Sequence, residues 1–313
     1  MKAVQIARHG GPEVMEVREV RDPVAGPGQI VADIHAASVN PGDIKVRKGL
    51  RPQFMKDGFP HTLGRDFSGV VRLIGSGVVD FRPGDRVFAV LPLGTEGAYA
   101  EAIAIDSALA AVKPDALSHV DIVAVALTGL TSLYAMEDAA AVRRGETVLI
   151  HGGAGGIGSF AVQYAAHVGA RVITTASARN HDYVRRLGAA IAIDYNTADF
   201  TTLGAQCDVV FDTIGGDVQR RSLSVLRSGG RLVSVAATIK DAQGVRDDVQ
   251  IIRPVVSRDR KHLERIAELV VKGGVRPPEI RRFPLAAARA AHELLESGTL
   301  RGKIVLETAR ARS

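Results

Sequence analysis

Three glycines carry the plainest chemical signal in this 313-residue chain. Gly153, Gly155 and Gly158 stand in a G-x-G-x-x-G spacing inside TVLIHGGAGGIGSFAVQYA (147–165), with Ala154, Gly156 and Ile157 between them. An apolar run from Thr147 to Ile150 precedes the cluster and an apolar-periodic stretch follows it, so the spacing falls where a strand turns into a helix. In that setting the first glycine permits a tight turn and the second lets backbone N–H groups approach a pyrophosphate. The third lets helix and strand pack closely, and the helix N-terminus offers the anion a positive pole. The alternative is a glycine-rich turn with no ligand, since glycine supplies 33 of the 313 residues. The strand before and the helix after favour a dinucleotide.

A dinucleotide's ribose is read at the end of the next strand, RVITTAS (171–177). Thr175, Ala176 and Ser177 stand there, followed by Arg179 and Asn180. No carboxylate is present to accept a ribose 2′-hydroxyl, whereas a hydroxyl and a guanidinium suit a 2′-phosphate. Arg179 has a plainer reading as a first-turn surface charge, and the missing acid is the firmer ground for expecting NADPH over NADH. The carboxyl ends of the later strands bring Thr213 and Ile214 alongside the cofactor, and Ala236 and Ala237 near its nicotinamide edge.

Other reactive side chains are few. The single cysteine, Cys207, excludes an internal disulfide, fits a reducing cytosol, and reads as a small apolar filler. None of the nine histidines has the i, i+4 spacing of a zinc helix. His61 is either a loop histidine or a proton donor bordering a cleft.

These residues need a scaffold. The first third alternates short strands with Gly and Pro: MKAVQIA, EVMEVREV, QIVADIHAASV, SGVVRLIG, DRVFAVL and AYAEAIAI. That spacing implies a barrel-like β domain. Helical periodicity takes over between Ser118 and Glu137. Strands at 147–151, 171–175, 190–194, 208–212, 231–235 and 249–256 then alternate with helices, which implies a parallel sheet covered on both faces. Helices at about 259–272 and 285–297 and the strand GKIVLET close the chain and return to the first domain. The expected division is 1–117 with 257–313 as one domain and 118–256 as the other.

The net charge of +6 raises the question of nucleic acid. From Arg253 onward fourteen Lys and Arg oppose seven Asp and Glu, spread singly along helices without aromatic interleaving, which suits a solvated face better. The tail ARARS reads as a frayed terminus. The first residues lack the apolar core of a signal peptide. No stretch approaches 18 uninterrupted apolar residues, so a cytoplasmic protein without a membrane span is expected.

Nine segments together extend the reading: VNPGDIKVRKG (39–49), GRDFSGVV (64–71), FRPGDRVFAV (81–90), GAYAE (97–101), LTGLTSLYAM (127–136), HGGAGGIGS (151–159), LGAAIAIDY (187–195), DVVFDTIGG (208–216) and GKIVL (302–306). In this order they resemble the zinc-independent quinone oxidoreductase branch of the medium-chain dehydrogenase/reductase superfamily, over nearly the whole chain. The resemblance implies an α/β fold, a GroES-like partly open β barrel on the substrate side with a six-stranded, doubly wound Rossmann domain inserted. It also implies a homodimer paired through VQIIRPVV (249–256), which would cover an apolar edge strand.

Zinc members of the superfamily carry a Cys near the first motif, then an adjacent His-Glu, then another Cys. Here the first two places hold Ser38, Val39 and Asn40, then Arg65 and Asp66, and no metal site is expected. Without a Lewis acid, hydride addition to a quinone or an α,β-unsaturated carbonyl is easier than alcohol chemistry, because conjugation spreads the charge. The resemblance places Asn40 at the nicotinamide and substrate, as a donor to the substrate carbonyl; the alternative is an Asn-Pro turn former. It places Thr128, with Thr131 nearby, beneath the nicotinamide ribose, unless these hydroxyls bond back to the helix. Tyr195 flanks the 2′-phosphate, and Lys303 lies near the cofactor or is a surface lysine. Asp43 is expected as a helix N-cap and Asp66 as a structural tie. An enoyl-thioester reductase of the same fold, or an NADPH- or RNA-binding crystallin-like protein without activity, are the other readings.

Overall fold

The computed structural model describes residues 1–55, 58–204, 206–236 and 246–309. Ala237 and the tail residues 310–313 therefore lie outside the described residues. The chain divides into two compact units, Met1–Leu127 with Arg258–Val271 and Glu279–Ser313, and Thr128–Ser257 with Lys272–Pro278.

The strand Gln29–Val39 organises the first unit. Its sequence QIVADIHAASV is buried along most of its length, because both of its edges are paired. One edge runs antiparallel to Asp66–Ile74; the other takes Ala102–Asp106 and then Lys303–Glu307. Register shifts between Val31 and Ala32 and between Ile34 and Ala36 bend it, as the wall of a barrel requires. The full order is Ile280–Pro284, Lys303–Glu307, Gln29–Val39, Asp66–Ile74, Arg86–Val90, Ala110–Val112. A smaller sheet holds Met15–Glu19, Lys2–Ile6 and His61–Thr62. Inward residues of both sheets, among them Ile6, Ile34 and Phe67, form one core with Tyr99, Leu285, Ala288 and Ala291. The helix Arg260–Val271 buries Leu263, Ile266, Ala267 and Val270, the i, i+3, i+4, i+7 stripe of an amphipathic helix.

The second unit is a six-stranded parallel sheet: Thr147–His151, Arg171–Thr175, Ile191–Ile193, Cys207–Asp212, Leu226–Ser234 and Gln250–Ile252. Numbered along the chain, its strands lie in the order 3-2-1-4-5-6, the doubly wound arrangement in which ligands bind where the order reverses, between strands one and four. Those two strands are almost wholly buried, which explains why they read as continuous apolar runs.

The pattern reading matches the ends of strands one and two. Elsewhere boundaries move. The fifth strand begins at Leu226, before the expected Arg231, and the sixth covers only Gln250–Ile252. His61–Thr62, Ala110–Val112 and Ile280–Pro284 were not anticipated. The first two are too short to show an alternation, and IRRFP is charged and ends in Pro, a composition tolerated at a sheet edge. The apolar stretch after Ser118 is an α-helix, His119–Leu133, continued by a π-helical turn, Tyr134–Ala139. Its length and hydropathy are those of a membrane span, but 72% of the apolar window is buried inside the protein, as in a core helix.

Candidate functional site

Two groups of residues gather the expected chemistry, one in each unit. In the second unit the chain leaves the first strand at His151 and enters the helix Gly156–Val168 with Gly155 as N-cap. The left-handed backbone of this turn falls on Gly152, at φ +72°, one residue before the glycine assigned to the tight turn from sequence. The helix can begin so close to the strand only because residue 158 is glycine. A Cβ there would stand 2.2 Å from the Gly152 carbonyl oxygen and 2.9 Å from Gly153 Cα. Gly155 is exposed, and a Cβ there would make an ordinary contact, 3.4 Å from the Gly152 carbonyl oxygen.

Side chains from neighbouring elements hold this turn. Thr175 Oγ1 accepts from the Gly152 N–H at 3.2 Å and lies 3.2 Å from His151 Nδ1. On the other side His151 Nε2 is 2.9 Å from Ser222 Oγ, whose own proton goes to the Val218 carbonyl. That pattern assigns the Nε2–H tautomer, and burial pushes the imidazole down to about 4, so it is neutral. Ser132 Oγ lies within bonding distance of the carbonyls of Thr128 (2.8 Å) and Ile157 (3.0 Å), and so ties the helix bearing Thr128 to the first turn after the glycines. Thr128 is buried there.

Where strand four ends, the fully buried Asp212 accepts the N–H groups of Ile214 and Gly215, each at 2.9 Å, and the Ser234 hydroxyl at 2.7 Å. Thr213 Oγ1 donates to the His151 carbonyl at 2.7 Å, which joins the ends of strands one and four. The Asp before Thr-Ile-Gly-Gly is the signal that sequence reading passed over, an Asx-type turn. Ile214 is 56% and Tyr195 61% exposed. Ala236 is half-buried, its N–H directed at Ser234 Oγ.

At the end of strand two, Ser177 is the N-cap of a short 3-10 turn, Ala178–Asn180, with Arg179 exposed. A carboxylate does approach this corner from strand three. Asp194 is held below the usual carboxylate range by the N–H and side-chain amide of Asn196 and by the Ala178 N–H.

In the first unit, the register of three strands brings Ser38, Asn40, Asp66 and Lys303 together. Val39 lies opposite Ile304 and Ala37 opposite Phe67, so Lys303 meets Asn40 across one strand edge and Asp66 meets Ser38 across the other. All four side chains are at most 4% exposed. Ser38 Oγ donates to Asp66 at 2.8 Å; Asn40 Nδ2 donates to Asp66 Oδ1 at 3.0 Å and reaches Ser38 O at 3.2 Å. Lys303 Nζ donates to Asn40 Oδ1 at 2.7 Å and to the Val39 carbonyl at 3.0 Å. Burial raises Asp66 above the ordinary carboxylate range, opposed by Lys303 and by the Ser38 and Asn40 bonds. Lys303 is lowered, again by burial. It is therefore no surface lysine, and the Asn40 amide is engaged at both ends inside the protein.

Asn40, not Asp43, is the N-cap of the helix Pro41–Arg47. Asp43 sits at the third helical position and accepts the Asn40 N–H at 2.8 Å and the Tyr99 hydroxyl at 3.0 Å. Tyr99 OH also lies 3.2 Å from His292 Nε2. Asp66, expected as a tie, accepts the Leu127 N–H at 3.4 Å. His61 is buried, 3.5 Å from the Glu96 carboxylate. Cys207 is buried and its thiol is pushed up to about 11 by burial, which makes it inert.

Comparison with known proteins matches residues 26–115 to the family described as alcohol dehydrogenase GroES-like domain, and residues 187–306 to the family described as zinc-binding dehydrogenase. A quinone oxidoreductase of Pseudomonas aeruginosa is 33% identical, covering 97% of this chain and 99% of its own. A 2-haloacrylate reductase from a Burkholderia species is 34% identical over 97% of this chain and 98% of its own. Among solved structures, an Escherichia coli quinone oxidoreductase in complex with NADPH superposes with a TM-score of 0.89 at 29% identity, covering 98% of this chain and 100% of the other.

Proposed function

Because the chain belongs to the quinone oxidoreductase branch of the medium-chain dehydrogenase/reductase superfamily, whose nicotinamide-binding Rossmann sheet it carries, we propose that it uses NADPH to reduce a quinone or an α,β-unsaturated carbonyl without zinc. The observation that carries the zinc-free part is the buried cluster of Ser38, Asn40, Asp66 and Lys303. Its donors are one carboxylate, a hydroxyl and an amide, already bonded to one another and flanked by the cations Lys303 and Arg65. Zinc takes three or four protein ligands drawn from thiolates, imidazoles and carboxylates; this cluster offers a single carboxylate, and a metal dication gains nothing beside two buried cations. The residues do not fit the metal. The quinone and 2-haloacrylate relatives support acceptors in which conjugation carries the developing charge.

The dinucleotide fits the residues that are present. The close approach at Gly158 and the exposed turn at Gly155 leave room for a pyrophosphate at the N-terminus of Gly156–Val168. Gly153, Ala154, Gly156 and Ile157 complete that cradle, with Thr128, Thr213, Ile214 and Ala236 along the nicotinamide half and Ser177, Arg179 and Tyr195 around the 2′-phosphate. NADPH, when bound, supplies the hydride. The exposed guanidinium of Arg179 and the hydroxyl of Ser177 favour the phosphate, whereas Asp194 beside Ala178 favours a bare ribose and NADH. The Asp194 carboxylate is already taken up by Asn196 and Ala178, which supports NADPH. The chain's part in the chemistry is to orient the acceptor near Asn40 and let solvent deliver the proton. Pairing through Gln250–Ile252, at the edge of the sheet, makes the proposed assembly a homodimer, and the lone buried cysteine suits a cytoplasmic setting.

The test is stopped-flow oxidation of NADPH and of NADH against quinones, 2-alkenals, enones and enoyl-thioesters. Turnover with quinones or enones and a preference for NADPH are expected. Silence with every class overturns the oxidoreductase reading, and thioester-only turnover transfers the chain to the enoyl-thioester reductases.

A further inference from the structure

Lys303 is the costliest residue in the first unit's cluster. A lysine is seldom buried, and this one lies 4% exposed with Nζ on two neighbouring acceptors, the Val39 carbonyl and the Asn40 amide oxygen. Its counter-charge, Asp66, is reached through the amide: ammonium to Oδ1 on one side, Nδ2 to carboxylate on the other. The amide is thus held in one orientation by opposite charges at its two ends. Apolar side chains in place of the whole Lys303–Asn40–Asp66 cluster would serve stability as well or better, because a buried charge pair seldom repays its desolvation. Burying Lys303 makes sense if the orientation it imposes matters.

We propose that Lys303 is a positioning residue for the reduction, locking the Asn40 amide against Asp66 and thereby setting the turn from Val39 to Pro41 against which the acceptor is oriented. This rests on the reading of Asn40 as a substrate-side residue. It departs from the expectation that Lys303 contacts the cofactor, since both acceptors of Nζ are barrel atoms. The charged groups around Lys303 are Asp66 on the strand Asp66–Ile74 and Asp43 on the helix Pro41–Arg47, and Arg65 interacts with both carboxylates. Both acids favour the ammonium and burial opposes it, with burial the larger effect. As pH rises, loss of the Lys303 proton removes the charge that orients the amide, and turnover falls.

Lys303→Met and Lys303→Arg test this, with kcat and acceptor KM over a pH series and the NADPH Kd by fluorescence titration. The expected result is a kcat lowered about tenfold or more in Lys303→Met with Kd changed less than about twofold, and partial recovery in Lys303→Arg. The wild-type kcat should fall at alkaline pH with a midpoint below the free-lysine value of 10.5, and Lys303→Met should lack that limb. Unchanged kcat, or a Kd that rises in step with the loss, overturns the proposal while leaving the oxidoreductase reading intact. Should Lys303→Met fail to fold, Lys303→Gln carries the same comparison, keeping a donor without the charge. If wild type turns over no acceptor, the oxidoreductase reading falls, and the Lys303–Asn40 lock is read from unfolding alone. The Lys303→Met/Asn40→Ala double variant is then expected to be no less stable than the weaker single variant; fully additive losses overturn the lock.

Discussion

The Tyr99 hydroxyl donates to Asp43 Oδ2 at 3.0 Å, and the same carboxylate oxygen accepts the Asn40 N–H at 2.8 Å, so one buried acid connects the barrel core to the residue that caps the first helix. Burial pushes Asp43 up from 3.8 to about 6. An acid raised in this way keeps its proton in the folded protein at pH values where the unfolded chain has lost it. Stability therefore falls as pH rises from about 3.8 to about 6 and stays lower above that window, by up to about 3 kcal/mol. Asp43→Asn keeps an acceptor for the Asn40 N–H and cannot ionise. Urea unfolding at pH 4 to 7 should show the wild type losing stability relative to Asp43→Asn across this range. A difference independent of pH would remove Asp43 as the source.

The glycine turn separates two roles by substitution. Gly158→Ala drives a Cβ into the Gly152 backbone and should cost about 1–3 kcal/mol or more, together with dinucleotide affinity. Gly155→Ala meets nothing closer than 3.4 Å, and its backbone at φ −79° suits alanine. It should melt near the wild-type temperature yet bind NADPH more weakly, because the methyl group occupies the space of the pyrophosphate. Thermal melts paired with fluorescence titration of both variants make the comparison. Equal NADPH affinity in Gly155→Ala and wild type would move the pyrophosphate elsewhere.

Arg179→Ala should lower affinity for NADPH by about tenfold and leave NADH nearly unchanged, since a guanidinium–phosphate bond is charge-assisted and NADH lacks that phosphate. The ratio of kcat/KM for the two cofactors reads it directly. Equal losses for both would make Arg179 a general surface charge.

Asn40→Ala removes the bridge between Lys303 and Asp66 and leaves both buried charges without it. Turnover of a good acceptor should fall about tenfold or more, and the melting temperature should fall as well, because each charge keeps its desolvation cost. An unchanged rate in a folded variant would take Asn40 out of the site. A lowered melting temperature at full rate would make it purely a cap.

Legibility followed the range of the interaction. The strand Thr147–His151, the glycine turn and the helix Gly156–Val168 are contiguous, so their apolar period and glycine spacing show without any knowledge of partners. The alternation of strands and helices likewise announced a parallel sheet, and the nine ordered segments announced the barrel. Asp212 was passed over, and Thr175 was read at the ribose and not at the glycine turn it holds, because what matters about both is which backbone N–H groups they receive.

Sequence alone determined the two kinds of layer, the glycine turn between strand and helix and the absence of soft metal ligands at the places a zinc relative uses. Those are properties of residue type and local spacing. The pairing of Lys303 with Asn40, 263 residues apart, was decided only in the folded chain, as were the capping of the first helix by Asn40 and the burial of Asp43 against Tyr99. Periodicity states which face of a strand is buried, but not the register in which strands pair. Here one register, Val39 opposite Ile304 and Ala37 opposite Phe67, turns four separate polar residues into a single buried cluster.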